Sequence, residues 1–292
     1  MIPRRKLGKT GVEVSCIGLG GEGILRTQGH EAEARQVIDH ALEAGINYLE
    51  TARAYSDSEV YYGLSLGSRR DRIFLAGKAH DRTAAGAMAQ LEESLRNLKT
   101  DRLDLWQIHD VRTEEDLMRI FGTGGALEAF IRAKRDGKVR FIGITGHENP
   151  DVLLQAISLY DFDTVLLPVN PAEPAWLSFP DTVLPEARRR GMGIIGMKVF
   201  CQGFGPQIPG QESYSLWLRY ALSHDLSTVV IGCDNPEQVV ENASAAQLSP
   251  LNVQERKTLE KAVAPWARKL MNYKVHKPRG PASKLSRIRP VQ

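Results

Sequence analysis

Eight short apolar runs of strand character alternate with longer helix-like stretches between residues 16 and 246, and this alternation constrains the fold more than any other feature. The runs occupy 16–19, 47–50, 73–78, 103–109, 139–144, 164–167, 193–198 and 228–231. Strands separated by helices pair in parallel, because the helical crossover returns the chain to the same end of the sheet. Eight such units within 292 residues predict an α/β fold, a closed (β/α)8 TIM barrel, over an open doubly wound sheet.

Helix start signals support the spacing. Asn149-Pro150 and Asn235-Pro236 each place an N-cap before a proline, whose missing N–H costs nothing at the first helical position. Ser56-x-x-Glu59 reads as a capping box. Helices are expected at 31–44, 83–98, 114–136, 150–160, 181–190, 213–223 and 236–246, with an extra one at 252–264. Before the first barrel strand, residues 5–15 turn at Lys9-Thr10-Gly11 and read as a hairpin closing the barrel floor. Pro278, Gly280, Pro281 and scattered cations predict an extended or disordered tail, dividing the chain into a 1–264 barrel and a 265–292 basic segment.

Composition limits the function classes. With 42% apolar and 25% charged residues the chain is an ordinary globular protein. No apolar run reaches the ~18 residues of a membrane span, and the basic start is not followed by an apolar export core, so a cytoplasmic protein is expected. Cys16, Cys201 and Cys233 are too few and too scattered for a zinc or iron–sulfur set, and reduced thiols are expected. The net charge of +3 is uneven. Residues 261–292 hold nine of the 38 Lys/Arg and no Asp/Glu, so residues 1–260 carry 29 cations against 35 anions, or −6. Only Trp266 and Tyr273 accompany the tail cations, which is no stacking platform for nucleic acid.

Side chains at the C-terminal ends of barrel strands converge over one mouth. Glu50 ends the second strand, Tyr55 follows in the loop, Lys78 ends the third and His109 the fourth. An acid, a phenol, an amine and an imidazole on neighbouring strand ends suit carbonyl reduction by hydride, in which the oxygen needs a proton as negative charge develops. A free tyrosine has a pKa near 10; an adjacent Lys78 ammonium would favour its ionisation, Glu50 would hold the amine, and His109 would bind the carbonyl oxygen. Tyr61 and Tyr62 fall within the following helix. Arg53, Trp106, His80, Phe200 and Phe204 are placed to reach the mouth.

These residues resemble the aldo-keto reductase family. Arg5–Ser15 is similar to its N-terminal hairpin, and Gly45-Ile46-Asn47-Tyr48-Leu49-Glu50-Thr51-Ala52 with Tyr55, Ser58-Glu59 and Gly63 to its second-strand motif. Lys78 and Asp101–His109 resemble the lysine and histidine motifs, and 137–145 and 230–242 continue the likeness to about residue 260. The resemblance implies NAD(P)H-dependent reduction of an aldehyde or ketone, with Tyr55 as proton donor assisted by Lys78, Glu50 and His109. The family carries Asp where this chain has Glu50.

The resemblance also implies NADP bound in extended form over the mouth, without a Rossmann domain. Gly18-x-Gly20-Gly21-x-Gly23 then reads as a tight turn at the mouth, with Gly21 beside the cofactor. Thr145 and Asn170 stand where the family contacts the nicotinamide amide. Lys198, Gly232, Gln238, Glu241 and Asn242 stand where it holds the pyrophosphate and the adenosine. Residues 233–238 contain no Lys or Arg, and Gln238 occupies a position where many relatives have arginine, so NAD is the alternative. Two other readings compete: a reductase-like regulatory subunit that holds the cofactor with little turnover, and Schiff-base chemistry at Lys78 or Lys198. Substrate identity and oligomeric state are not legible.

Overall fold

A computed structural model of the chain describes residues 2–274. Strands β1 (Arg4–Lys6) and β2 (Glu13–Ser15) form the expected antiparallel hairpin. The barrel strands are β3 (Ile17–Gly23), β4 (Tyr48–Glu50), β5 (Phe74–Ala79), β6 (Leu103–Ile108), β7 (Val139–Thr145), β8 (Thr164–Pro168), β9 (Gly193–Met197) and β10 (Thr228–Cys233). They pair in parallel in sequence order, and β10 closes onto β3, giving the predicted (β/α)8 barrel.

The helices are α1 (Glu31–Glu43), α2 (Ser58–Ser65), α3 (Ala84–Asn97), α4 (Glu114–Phe121), α5 (Ala126–Arg135), α6 (Pro150–Leu159), α7 (Phe179–Arg189), α8 (Tyr214–Leu222), α9 (Pro236–Ala245), α10 (Val253–Val263) and α11 (Ala267–Leu270). Asn149 and Asn235 cap α6 and α9 as read from the sequence. The expected single helix at 114–136 is two, because Gly122, Gly124 and Gly125 break it; Thr113 and Asp116 form a capping box on the first piece. The box expected at Ser56 and Glu59 does not form. Helix α2 starts at Ser58, and Glu59 turns inward to accept from Ser94 Oγ at 2.6 Å and Asn97 Nδ2 at 3.1 Å.

Three apolar clusters hold the molecule. Inside the barrel, Tyr48, Phe74, Ala76, Leu105, Leu166 and Ile195 pack together, and the hairpin inserts fully buried Leu7 among them. The hairpin is docked at the floor by a 2.6 Å hydrogen bond from Lys9 N to the Gly191 carbonyl, just before β9. A second cluster lies between the sheet and the surrounding helices. The third joins Trp217 and Tyr220 of α8 to Leu259, Val263, Leu270 and Met271. This last cluster corrects the expectation of an extended chain from residue 265: residues 264–270 are helical, and Leu270, Met271 and Lys274 are buried. The remainder of the basic tail lies outside the described residues. Among the described residues no helix is long and apolar enough to cross a membrane, no His/Cys/Asp/Glu group could hold a metal, and the three cysteines are free and buried.

Candidate active site

A cavity of ≈ 700 Å³ opens over the C-terminal ends of the barrel strands. Glu50, Tyr55, Lys78 and His109 all line it. Lys78 Nζ lies 2.6 Å from Glu50 Oε1 and donates to the Thr51 carbonyl at 3.2 Å. The other carboxylate oxygen accepts from Gln107 Nε2 at 3.1 Å. The extra methylene of Glu50, compared with aspartate, therefore leaves the ion pair intact. Lys78 Nζ sits 4.8 Å from the Tyr55 ring centroid, and the Tyr55 and His109 rings meet edge to face at 5.8 Å.

Electrostatics distinguish the groups. Burial pushes the Tyr55 phenol above its ordinary value, while the Lys78 ammonium pulls the other way by charge and a hydrogen bond. Burial also works against the Lys78 charge, but Glu50 and Tyr55 outweigh it and leave the amine above its usual value. Burial, with Lys78 next, drives His109 well below the ordinary imidazole range, so the ring is neutral at neutral pH. His109 Nδ1 is buried without a hydrogen-bond partner among the described residues. Arg82 donates to the carbonyls of His109 and Asp110 at 2.8 Å each, which fixes the backbone at this strand end.

The glycine-rich end of β3 is explained by close approach. A Cβ on Gly21 would stand 2.4 Å from Ser58 Oγ and 2.9 Å from the Glu50 carbonyl, and Gly23 has φ +68°. Gly21, Thr145, Lys198, Gly232, Gln238, Glu241 and Asn242 all border the cavity. Asn170 does not: it is fully buried, donating to the Lys198 carbonyl at 3.1 Å and to Tyr273 Oη at 3.2 Å. Of the aromatic and basic residues expected at the mouth, His80 and Phe200 are there. Arg53 instead pairs with Glu59 and Glu93, Trp106 stacks on Phe130 outside the barrel at 3.6 Å, and Phe204 is half exposed. Tyr61 and Tyr62 spend their hydroxyls on the Thr27 and Leu19 carbonyls.

Sequence reasoning missed a second polar group at the mouth. Asp110, φ +55°, pairs with Arg112 and lies 2.9 Å from His147 Nε2. Against the upward push of burial, hydrogen bonds from His147 and Arg112 hold its carboxyl far below the usual range. The available signal was its position directly after His109. Tyr273, which no local pattern marks, lines the cavity from the C-terminal segment.

A parallel eight-stranded barrel with a lysine–carboxylate pair, a phenol and a neutral imidazole at its mouth defines a class of oxidoreductase barrels. The Aldo/keto reductase family profile matches residues 16–208, and the chain belongs to that family. It is 25% identical over 305 residues to the uncharacterized oxidoreductase YqkF of Bacillus subtilis, covering 88% of this chain and 95% of that protein. It is 27% identical to an L-galactose dehydrogenase of Arabidopsis thaliana, with 84% and 88% covered. Among solved structures, the holo form of an aldo-keto reductase from Bacillus halodurans superposes with a TM-score of 0.77 at 25% identity, covering 90% of this chain and 96% of that one. An aldo-keto reductase from Klebsiella pneumoniae in complex with NADPH shares the fold, with a TM-score of 0.76 at 20% identity over 90% of this chain and 96% of that one.

Proposed function

We propose that the protein is an NAD(P)H-dependent oxidoreductase that reduces an aldehyde or ketone to an alcohol. The observation that carries this reading is the Lys78–Glu50 pair at 2.6 Å set beneath the Tyr55 ring, with neutral His109 beside it. Tyr55 is the proton donor. Its phenol is protonated at neutral pH, and the Lys78 ammonium, held charged by Glu50, stabilises phenolate as the proton leaves. His109, neutral and lining the cavity, orients the carbonyl oxygen.

The cavity suits an elongated anionic cofactor, with NADP as the family default. Arg26 and Lys198 bring positive charge to the wall, and the N-terminus of α9 adjoins Gly232 and Gln238. When bound, a reduced nicotinamide supplies the hydride. Lys198 and the α9 N-terminus would meet its pyrophosphate, and Thr145 would border the nicotinamide. Asp234 and Glu241 also line this wall, which keeps NAD as the alternative for the 2′-phosphate end. Carbonyl-dependent oxidation of NADPH by the full chain, measured with a panel of small aldehydes and ketones, tests the activity. Tight NADPH binding with no carbonyl-dependent oxidation would favour the regulatory-subunit reading, and equal or tighter NADH binding would overturn the NADP preference.

A further inference from the structure

Glu50, Lys78 and Gln107 stand on three consecutive strands. Glu50 of β4 pairs in register with Ala76 of β5, and Lys78, two residues on, pairs with Gln107 of β6. Residues two apart on a strand face the same side of the sheet, so the three side chains share the inner face of the barrel. Gln107 is wholly buried. Its register partner on β7 is Gly143, where a Cβ would stand 3.0 Å from Gln107 Cγ, so the glycine leaves the room that the glutamine stem occupies.

The Gln107 amide is committed to one orientation. A carboxylate oxygen only accepts, so the donor in the 3.1 Å contact with Glu50 Oε2 is Nε2, and Oε1 is turned away from Glu50. That oxygen is buried without a hydrogen-bond partner among the described residues. An orphaned amide oxygen in the interior costs stability, and an apolar side chain of the same size would fill the space without it. Packing therefore does not account for a glutamine here, whereas the donor to Glu50 does.

Glu50 in turn uses its two oxygens on two different strands. Oε1 lies 2.6 Å from Lys78 Nζ of β5, and Oε2 takes the donor from β6, two strands away and so about 9–10 Å across the sheet. The Tyr48 hydroxyl, the other neighbour of Oε2, is at 3.5 Å, the far limit of a hydrogen bond. Reaching past β5 needs a long acid, and an aspartate is one methylene shorter.

We propose that Gln107 is a positioning residue for proton transfer from Tyr55, acting through Glu50: it clamps the carboxylate against Lys78, and the extra methylene of Glu50 is what makes the clamp possible. The inference rests on the reading of Tyr55 as proton donor and Lys78 as its support. With Gln107 in place the carboxylate has one position, and the ammonium stays paired beneath the Tyr55 ring. Once released, the carboxylate turns, and a buried ammonium without its partner moves toward the neutral amine and loses its hold on the phenolate.

Two arms test this in the full-length chain. In the first, hydride transfer from bound NADPH to a small aldehyde is followed in a single turnover, so that cofactor release does not mask the chemical step. Gln107→Met keeps the length of the side chain and removes the donor. It should slow transfer by about tenfold, the scale of one hydrogen bond to a charged group, with NADPH affinity near that of the parent. Gln107→Asn, an amide one methylene short, should be slowed likewise. On a Glu50→Asp background, whose carboxylate no longer reaches β6, Gln107→Met should add little further loss. Parent-like transfer in both Gln107 variants, or a full further loss on the Glu50→Asp background, overturns the proposal. NADPH affinity falling in step with the rate would mark a general loosening of the mouth and overturn it too. The second arm needs no turnover. A crystal structure of Gln107→Met, or of Gln107→Asn if the first does not fold, should show the Glu50 carboxylate turned out of its place, and a Glu50–Lys78 pair unmoved at 2.6 Å overturns the clamp. A parent chain that binds NADPH but reduces no carbonyl would instead count against the assigned reaction, and the second arm would still decide Gln107.

Discussion

Glu50 Oε1 and Lys78 Nζ lie 2.6 Å apart at adjacent strand ends, with both side chains almost wholly removed from solvent. In water such a pair contributes little, but here each partner is what makes the other's burial tolerable. Glu50→Gln keeps the shape and strands the ammonium. That variant should lose about 3–5 kcal/mol of folding stability, read from urea unfolding midpoints. Because the Lys78 value is raised, this contribution is complete at neutral pH and disappears only as the pH climbs through the raised lysine value. A loss below about 1 kcal/mol would mean that the pair behaves like an exposed one.

The acid side of the stability profile should carry the mark of His109. Its folded-state value is pushed well below that of an ordinary imidazole, so the folded protein binds fewer protons than the unfolded chain, and stability rises with pH between the two values. Lowering the pH from about 6.5 should therefore destabilise the protein. His80 and His224 shift in the same direction and contribute to the slope. Asp110, held far lower, stays ionised through this window. His109→Asn should flatten the dependence of unfolding midpoint on pH, and an unchanged slope would contradict the buried neutral imidazole.

The floor of the barrel offers a test independent of the chemistry. Leu7 is fully buried within the interior cluster, against Gly193 at the start of β9. Leu7→Ala should cost about 2–5 kcal/mol, since the rigid sheet can relax only partly into the hole. The hairpin would be peripheral if the urea midpoint of that variant matched the parent.

Most of the barrel was legible because apolar runs and N-caps are local signals. Strand ends fall within a few residues of expectation, and Glu50, Tyr55, Lys78 and His109 meet because strand ends in this architecture must. Strand parity shows both the reach and the limit of such reading. Leu105 points into the barrel and Gln107 reaches Glu50 at the mouth, whereas Trp106, one residue out of phase, packs outward on Phe130. Counting by twos back from His109 would have placed Trp106 outside. Glu59 was misread because tertiary partners, Arg53, Ser94 and Asn97, outcompete a local capping bond. The Asn170–Tyr273 contact joins residues 103 positions apart and leaves no trace in spacing or periodicity.

The central claim is that the Tyr55 phenol delivers the proton in carbonyl reduction. Tyr55→Phe removes one oxygen atom and leaves Lys78, Glu50 and His109 in place, so its kinetics test that claim most directly. Carbonyl-dependent NADPH oxidation should fall by about 10²–10⁴-fold, the usual contribution of a positioned general acid, with NADPH affinity close to that of the parent. Turnover near the parent rate in Tyr55→Phe would contradict the account.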